Sequence, residues 1–576
     1  MPVASAPRLL LTTVCSPYGV QGRDSEALGM QMELLNNQIT REQGVHSPRA
    51  NFWTFPLYFL AENINVPATV LDFPSWRVFK KALQDGYTHV GISFIQTNVL
   101  KARRMAEYIR NRLPQTKIIL GGYGAGLPDV RRLVPCDEVC PGEGVGWLRS
   151  YFGEDKDRPV RHPVMNGVIR KYVYGIHCRT DESAVIFPGL GCSNACFFCS
   201  TSSKFGHEYI PFLDSGKDVF DLCRRCEDEL GVREFAIIDE NFLLERNRAR
   251  ELLAEMEREG KDYNFSIFSS AEVLSELGVD FLVRLGVCAV WVGVETSADV
   301  FGKVRNIDAG KLIAELQQNG ISAISSSILF MEHHDREMLE KDIEWAIGLG
   351  SDMHQFMQLT PLPGTPLYEQ YRSEGKLIGQ FPYTRMSGQN ALNFYHPHFG
   401  SEEAGELTRL AFRRKFEAGG PAVVNMARTI LRGYRSALKQ TDRRDLAGMS
   451  WNPDSLRYDR RRGAPASDSY MRLRLAAMRR RLEEYRPVLL AGWLFSPNAG
   501  ARRRCGEVIR DYAETLGPPC TLGRLKSAAV AFSAGLEHLR ICAGRVAGRP
   551  ELIRQPPVRR VSYFTNGAGQ RESREE

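Results

Sequence analysis

CSNACFFC, Cys192 to Cys199, decides how the rest of this 576-residue chain is read. Three cysteines at C-x3-C-x2-C spacing share one short loop, just after the apolar run Ala184-Val185-Ile186-Phe187. Soft thiolates hold iron, and a tight loop can reach three corners of an iron–sulfur cube. A [4Fe–4S] cluster closed by protein alone takes four cysteines. Three leave one iron open, and an open position is what a reactive metal site keeps. The competing reading is zinc, because Cys196 and Cys199 form a C-x2-C pair and Cys223 and Cys226 follow at zinc-ribbon distance. Zinc leaves Cys192 without a role. Cys223 and Cys226 also recur with Val219, Phe220 and Leu230 at steps of three and four, which predicts a buried helix face where cysteine acts as a small hydrophobe. The cube is the stronger reading, with Cys192, Cys196 and Cys199 as metal ligands.

Outward from this loop, apolar strands alternate with helical stretches: residues 184–187, 234–238, 265–269, 289–294, 323–330 and 354–359. Six β/α units predict a partial (β/α)6 barrel, whose reactive residues project from the carboxyl ends of the strands. Those ends carry Asp239 and Glu240 after the second strand, Ser269 with Ser270 at the third, and Glu295 in GVET after the fourth. Carboxylates there can meet a ligand or form strand-end ion pairs, and both uses draw on the same residues. His333, His334 and His354 lie near strand ends as candidate proton carriers.

Upstream, residues 8–152 alternate short strands (9–14, 68–71, 89–94, 117–120, 138–140) with amphipathic helices, most clearly 76–83 and 99–113. The pattern predicts a doubly wound, Rossmann-like parallel sheet, which binds ligands at its strands' carboxyl ends. Ser93 ends one strand there, followed by the glycine turns GGYGAG, with Gly121 and Gly122, and PGEGVG, with Gly142, Glu143 and Gly144. Glycine lets backbone approach a large flat ligand closely. The fold class is α/β with a third, mainly helical region. Expected boundaries are 1–152 for the N-terminal domain, 153–181 for a polar linker, 182–400 for the barrel, 401–566 for a basic helical domain and 567–576 for a disordered tail. In the helical domain, residues 402–417, 423–438 and 471–485 show helical spacing.

The cysteine spacing resembles the signature of the radical S-adenosylmethionine (SAM) superfamily, in which SAM chelates the open iron. The order of VGIS, IILGG and GEG resembles the cobalamin-binding domain placed ahead of many radical SAM domains. LTPLPGTPLY, Leu359 to Tyr368, resembles a string of cobalamin-linked members and reads physically as a rigid turn. The resemblance is to class B methyltransferase-like enzymes, related to the anaerobic magnesium-protoporphyrin ester cyclases. It implies a [4Fe–4S] cluster, SAM and cobalamin as cofactors, with Asp239, Glu240, Ser269 and Glu295 near SAM and the glycine turns near cobalamin. It implies hydrogen abstraction from an unactivated carbon by a 5′-deoxyadenosyl radical, then methyl transfer. Alternatives are ring closure or C–C coupling with the same cofactors, a SAM- or cobalamin-sensing protein without turnover, and an N-terminal domain that binds no cofactor. One departure is clear. Mutase-type cobalamin domains carry a cobalt-ligating histidine in D-x-H-x-x-G, whereas the nearest string here is DSEALG, Asp24 to Gly29, with Glu26 in that place. His46 and His89 stand elsewhere, so cobalamin is expected without a histidine axial ligand.

Thirteen scattered cysteines and a cluster motif indicate a reducing compartment, and no signal peptide or membrane span is evident, so a cytoplasmic protein is expected, with peripheral membrane association open. The net charge of +7 conceals an asymmetry: residues 401–576 carry 34 Lys+Arg against 19 Asp+Glu. Such an excess is either a solvated helical surface or a docking face for an anionic partner. Expected partners are a small-molecule or lipid-like substrate, with its pocket formed by the barrel mouth and the C-terminal helices, and a low-potential flavodoxin- or ferredoxin-type electron donor. No nucleic acid is expected.

Overall fold

A computed structural model describes residues 6–18, 38–178, 180, 182–297, 307–440, 449–452, 457–460, 469–547, 555–566 and 570–576. The DSEALG string with Glu26 lies outside the described residues. Six parallel strands follow in chain order across one sheet: Ser183–Ile186, Glu234–Ile237, Asn264–Ser270, Val287–Glu295, Ser322–Leu329 and Met353–Gln358. Helices Gly216–Leu230, Arg246–Glu259, Ala309–Gln318 and Arg336–Gly348 connect them and cover the outer face. The first of these starts at a capping box between Ser215 and Asp218 and stops at Gly231, φ 71°, an ending that glycine tolerates without a Cβ clash. Its inward face buries Phe220, Cys223 and Cys226 in the barrel's outer core, so these two thiols are packing groups.

The N-terminal sheet runs, by strand, Ala68–Asp72, Leu9–Thr13, His89–Ser93, Lys117–Gly121 and Glu138–Val139, all parallel. Leu9–Thr13 and Ala68–Asp72 are buried along their whole length, as strands covered on both faces must be. Two expectations are corrected here. The tail is not a disordered appendage: Arg571–Glu575 pairs with Arg559–Thr565, which adds antiparallel to Ala68–Asp72 and seals that edge of the sheet. Nor is 153–181 a plain linker, because Val168–Val173 and Ile176–Cys178 form a hairpin that pairs with Arg49–Phe52. Tyr174 and Gly175, at φ 53° and 76°, make its turn, and two positive φ values are what a two-residue hairpin loop requires.

C-terminal helices Ser401–Gly419, Ala422–Gln440 and Ser469–Tyr485 are joined by Ala499–Leu516 and Thr521–Val546. Ala422–Gln440 and Ser469–Tyr485 lie against the amino-terminal ends of the barrel strands. Arg474 donates to Tyr263 O and Asn264 Oδ1, each at 2.7 Å, and Arg480 pairs with Asp262 at 2.7 Å. Gly433 stacks on Gly320 just ahead of the fifth strand, and Thr429 donates to Asp352 at 2.7 Å just ahead of the sixth. These helices therefore close the bottom of the barrel. Residues 377–393 and the N-terminal domain stand at its mouth, and Ser401–Gly419 reaches that end where Thr408 accepts from Gln358 Nε2 at 3.0 Å. Much of the basic charge is also turned inward onto the chain's own carboxylates and carbonyls. Among the described residues, no helix is long and apolar enough to cross a membrane.

Candidate active site

The cysteine loop leaves the first barrel strand through Gly189–Gly191, which pairs with Tyr209–Pro211, and runs into the short helix Ser200–Lys204. Local bonds fix its path. Ser202 Oγ donates to Cys192 O at 2.7 Å, Cys199 N–H to Cys196 O at 2.9 Å, and Ser202 N–H to the Cys199 thiol at 3.5 Å. From the far side of the barrel, Leu367 N–H donates to Phe197 O at 3.1 Å. The PGTPLY turn thus pins the loop as well as ending the sheet. Partial burial raises the Cys192 and Cys199 thiols above their ordinary value, and each feels neighbouring cysteines and Glu240. Three thiols on one loop that feel one another's charge suit a multinuclear cation that takes them as thiolates. Among the described residues, no three His, Cys, Asp or Glu side chains gather around a point that one ion would fill.

Facing the loop is a cavity of ≈ 620 Å³ between the two sheets. Ser93, Gly121, Gly122, Gly142, Glu143, Gly144, Asp239 and Glu240 all line it, with Thr201 and Lys204 of the cluster helix on the opposite wall. The sequence patterns therefore meet in one place. Gly122 sits at φ 79°, ψ −171°, a region essentially only glycine enters, and an added Cβ would lie 2.6 Å from Phe94 O. Gly122→Ala is expected to lose about 1–3 kcal/mol in urea unfolding; an unchanged midpoint would mean the turn relaxes freely. At Gly121 and Gly142 a Cβ would meet nothing within 4 Å, so those backbones border open space that a flat ligand can approach. Apolar walls from Leu57, Leu60, Phe187 and Phe212 complete the cavity.

Several groups that span the cavity carried no signal in the sequence. Lys204 Nζ donates to Gly122 O at 3.1 Å and to Pro141 O at 2.9 Å, tying the cluster helix to both glycine turns. Tyr123 and Thr201 share a hydroxyl bond of 2.7 Å, and Thr201 also bonds Glu240. Protein walls around Glu240 raise its carboxyl above the usual range; the Thr201 bond opposes this, and the Asp239 charge adds to it. Glu240 is nonetheless exposed to the cavity, placing a carboxyl between cluster loop and N-terminal domain.

Other expected residues are committed within the protein. Asp239 is buried against Arg248 at 3.1 Å and accepts from Tyr209 O–H at 2.8 Å. Glu143 caps a helix through the N–H groups of Val145 and Gly146. Ser269 lies outside the large cavity's lining and donates to Asn241 Oδ1 at 2.9 Å. His354 is buried with Nδ1 2.7 Å from Ser325 Oγ and Nε2 2.8 Å from Ser327 Oγ, and burial drives its pKa well down, so it is not a ready proton carrier. His334 is buried too, 3.2 Å from Asp342. Glu295 is buried at φ 57° and lines a separate cavity of ≈ 330 Å³ beside Phe198 of the cluster loop, Ser327 and Gln358. Among the described residues, no histidine lines the large cavity. His46 bonds Tyr174 O–H and Phe495 O, and His89 opens its strand at the opposite end.

Residues 186–346 match the family described as the radical SAM superfamily. An uncharacterized methyltransferase of Pyrococcus horikoshii is 28% identical over 274 residues, 44% of this chain and 58% of that protein. The anaerobic magnesium-protoporphyrin IX monomethyl ester cyclase of Cereibacter sphaeroides is 26% identical over 203 residues, 34% of this chain and 32% of that protein. The chain thus spans between a third and three-fifths of the length of these relatives. The radical SAM methyltransferase TsrM of Kitasatospora setae, solved with cobalamin and a [4Fe–4S] cluster, is 14% identical, with a TM-score of 0.47 over 88% of this chain and 99% of that one. The cysteine loop and the six-stranded parallel sheet agree with the radical SAM family match over residues 186–346.

Proposed function

We propose that this chain is a cobalamin-dependent radical SAM enzyme that methylates an unactivated carbon. The observation that carries the reading is the cavity between the two sheets, with glycine turns on one wall and the helix of the cluster loop on the other. Cofactors of this kind supply an electron that cleaves SAM to a 5′-deoxyadenosyl radical, and a transferable methyl group. The chain's own part is placement. Cys192, Cys196 and Cys199 would hold the cluster, and the smaller cavity with Glu295 would take SAM beside it. The backbones of Gly121, Gly122 and Gly142 would border the corrin. Lys204 fixes the distance between the two binding regions, and apolar walls keep water from the reacting carbon.

Glu295→Ala is expected to keep its cluster and bind SAM roughly 10- to 150-fold more weakly, the loss of one charge-assisted hydrogen bond. Unchanged affinity in equilibrium dialysis would make Glu295 a strand-end support. The functional test is reduced, reconstituted protein loaded with cobalamin and given SAM. A methylase yields both 5′-deoxyadenosine and S-adenosylhomocysteine. Deoxyadenosine alone would favour ring closure or coupling, and neither product would leave a sensor.

A further inference from the structure

Helix Thr521–Val546 has two apolar faces. Val530, Ala534 and Ile541 turn inward onto the C-terminal core. Outward stand Leu522, Leu525, Phe532, Leu536, Leu539 and Val546, from 56% exposed at Leu536 to 91% at Val546. With Ala529 and Ala543 these residues follow steps of three and four without a break, the a/d spacing of a two-helix seam. At 1.5 Å per residue the 26-residue helix is about 39 Å long. Its outward stripe offers on the order of 700 Å² of apolar surface, more than monomers usually leave open and close to one partner's share of a standard interface.

We infer that this face is a self-association seam, through which two copies of the chain join their Thr521–Val546 helices side by side in parallel. The inference is independent of the function proposed above. Stripe width argues for a helix as occupant. A helix lying on lipid shows a broad apolar face with long cations along its polar side, whereas here the stripe is two residues in seven. Flanking charges set the orientation. One flank carries Lys526, Ser533 and Arg540, and the other carries Thr521, Ala528, Gly535 and Cys542. In a parallel pair Lys526 faces the partner's Thr521 and Arg540 the partner's Gly535, so each long cation lies over a small neutral residue. An antiparallel pair would set Lys526 against Arg540, which Glu537 of its own helix already pairs. A parallel two-fold axis pairs each apolar residue with its own copy, one of the isologous arrangements that close a dimer.

Sedimentation velocity on the full-length protein at micromolar concentration tests this. Wild type is expected at twice its 64.9 kDa chain mass. Leu536→Lys combined with Leu539→Lys is expected to halve that mass, with circular dichroism and iron content unchanged. Phe532→Lys serves as the second variant should the double one fold poorly. A monomeric wild type, or a dimer that survives these substitutions, would overturn the seam. So would a monomer that pellets with phosphatidylserine vesicles only while these side chains are apolar, since the occupant would then be lipid.

Discussion

Replacing Cys192, Cys196 and Cys199 together with alanine is expected to abolish bound iron and all SAM cleavage, the largest effect available in this chain. The nearest pair in sequence, Cys223 and Cys226, does not substitute. Cys223 and Cys226 are buried in the barrel core, where desolvation holds both thiols far from ionisation, and thiolate is the form that binds metal. Cys223→Ala and Cys226→Ala are expected to keep the full iron content and activity while each losing about 1 kcal/mol of stability from lost packing. Iron analysis, absorbance of the reconstituted protein and deoxyadenosine yield check both arms. Retention of four irons by the triple variant would contradict the assignment. Loss of iron in Cys223→Ala without unfolding would make Cys223 part of the iron site and contradict its role as a packing group.

The second large effect concerns stability. Arg248 and Asp239 form an ion pair with both side chains almost wholly buried, and Arg248 also donates to Tyr209 O–H at 2.7 Å. Arg248→Met leaves the carboxylate buried beside Tyr209 without its counter-charge, which costs about 3–5 kcal/mol. Unfolding in urea should show that loss, and adding Asp239→Asn should recover part of it, because the stranded charge is then gone. A loss below about 1 kcal/mol would mean that Asp239 is solvated in the cavity and free to take a ligand.

The parts of this protein that were legible in its sequence are those with local causes. The cluster loop is a spacing of three soft ligands, and the barrel strands are short apolar runs followed by carboxylates or serines. The helix bearing Cys223 and Cys226 is a periodicity. What escaped depends on residues far apart in the chain. Lys204 reaches Pro141 across 63 positions and Tyr123 reaches Thr201 across 78. Strands Arg559–Thr565 and Arg571–Glu575 extend a sheet whose other strands end before residue 140. Asp239 illustrates the limit most sharply. A carboxylate at a strand end can meet a ligand's ammonium or an arginine on the next helix, and only the fold shows Arg248 already there. The 153–181 hairpin was within reach, since Tyr174-Gly175 between Val168–Val173 and Ile176–Cys178 is a turn signal.

The central claim, cobalamin held at the glycine turns without a protein nitrogen on cobalt, is tested most directly by electron paramagnetic resonance of the Co(II) form in uniformly 15N-labelled protein. One cobalt per chain is predicted, with cobalt lines identical in labelled and unlabelled protein, because no histidine is among the described residues lining the cavity. Protein that binds no cobalamin, or a nitrogen splitting that changes with the label and vanishes in His46→Ala or His89→Ala, would contradict it.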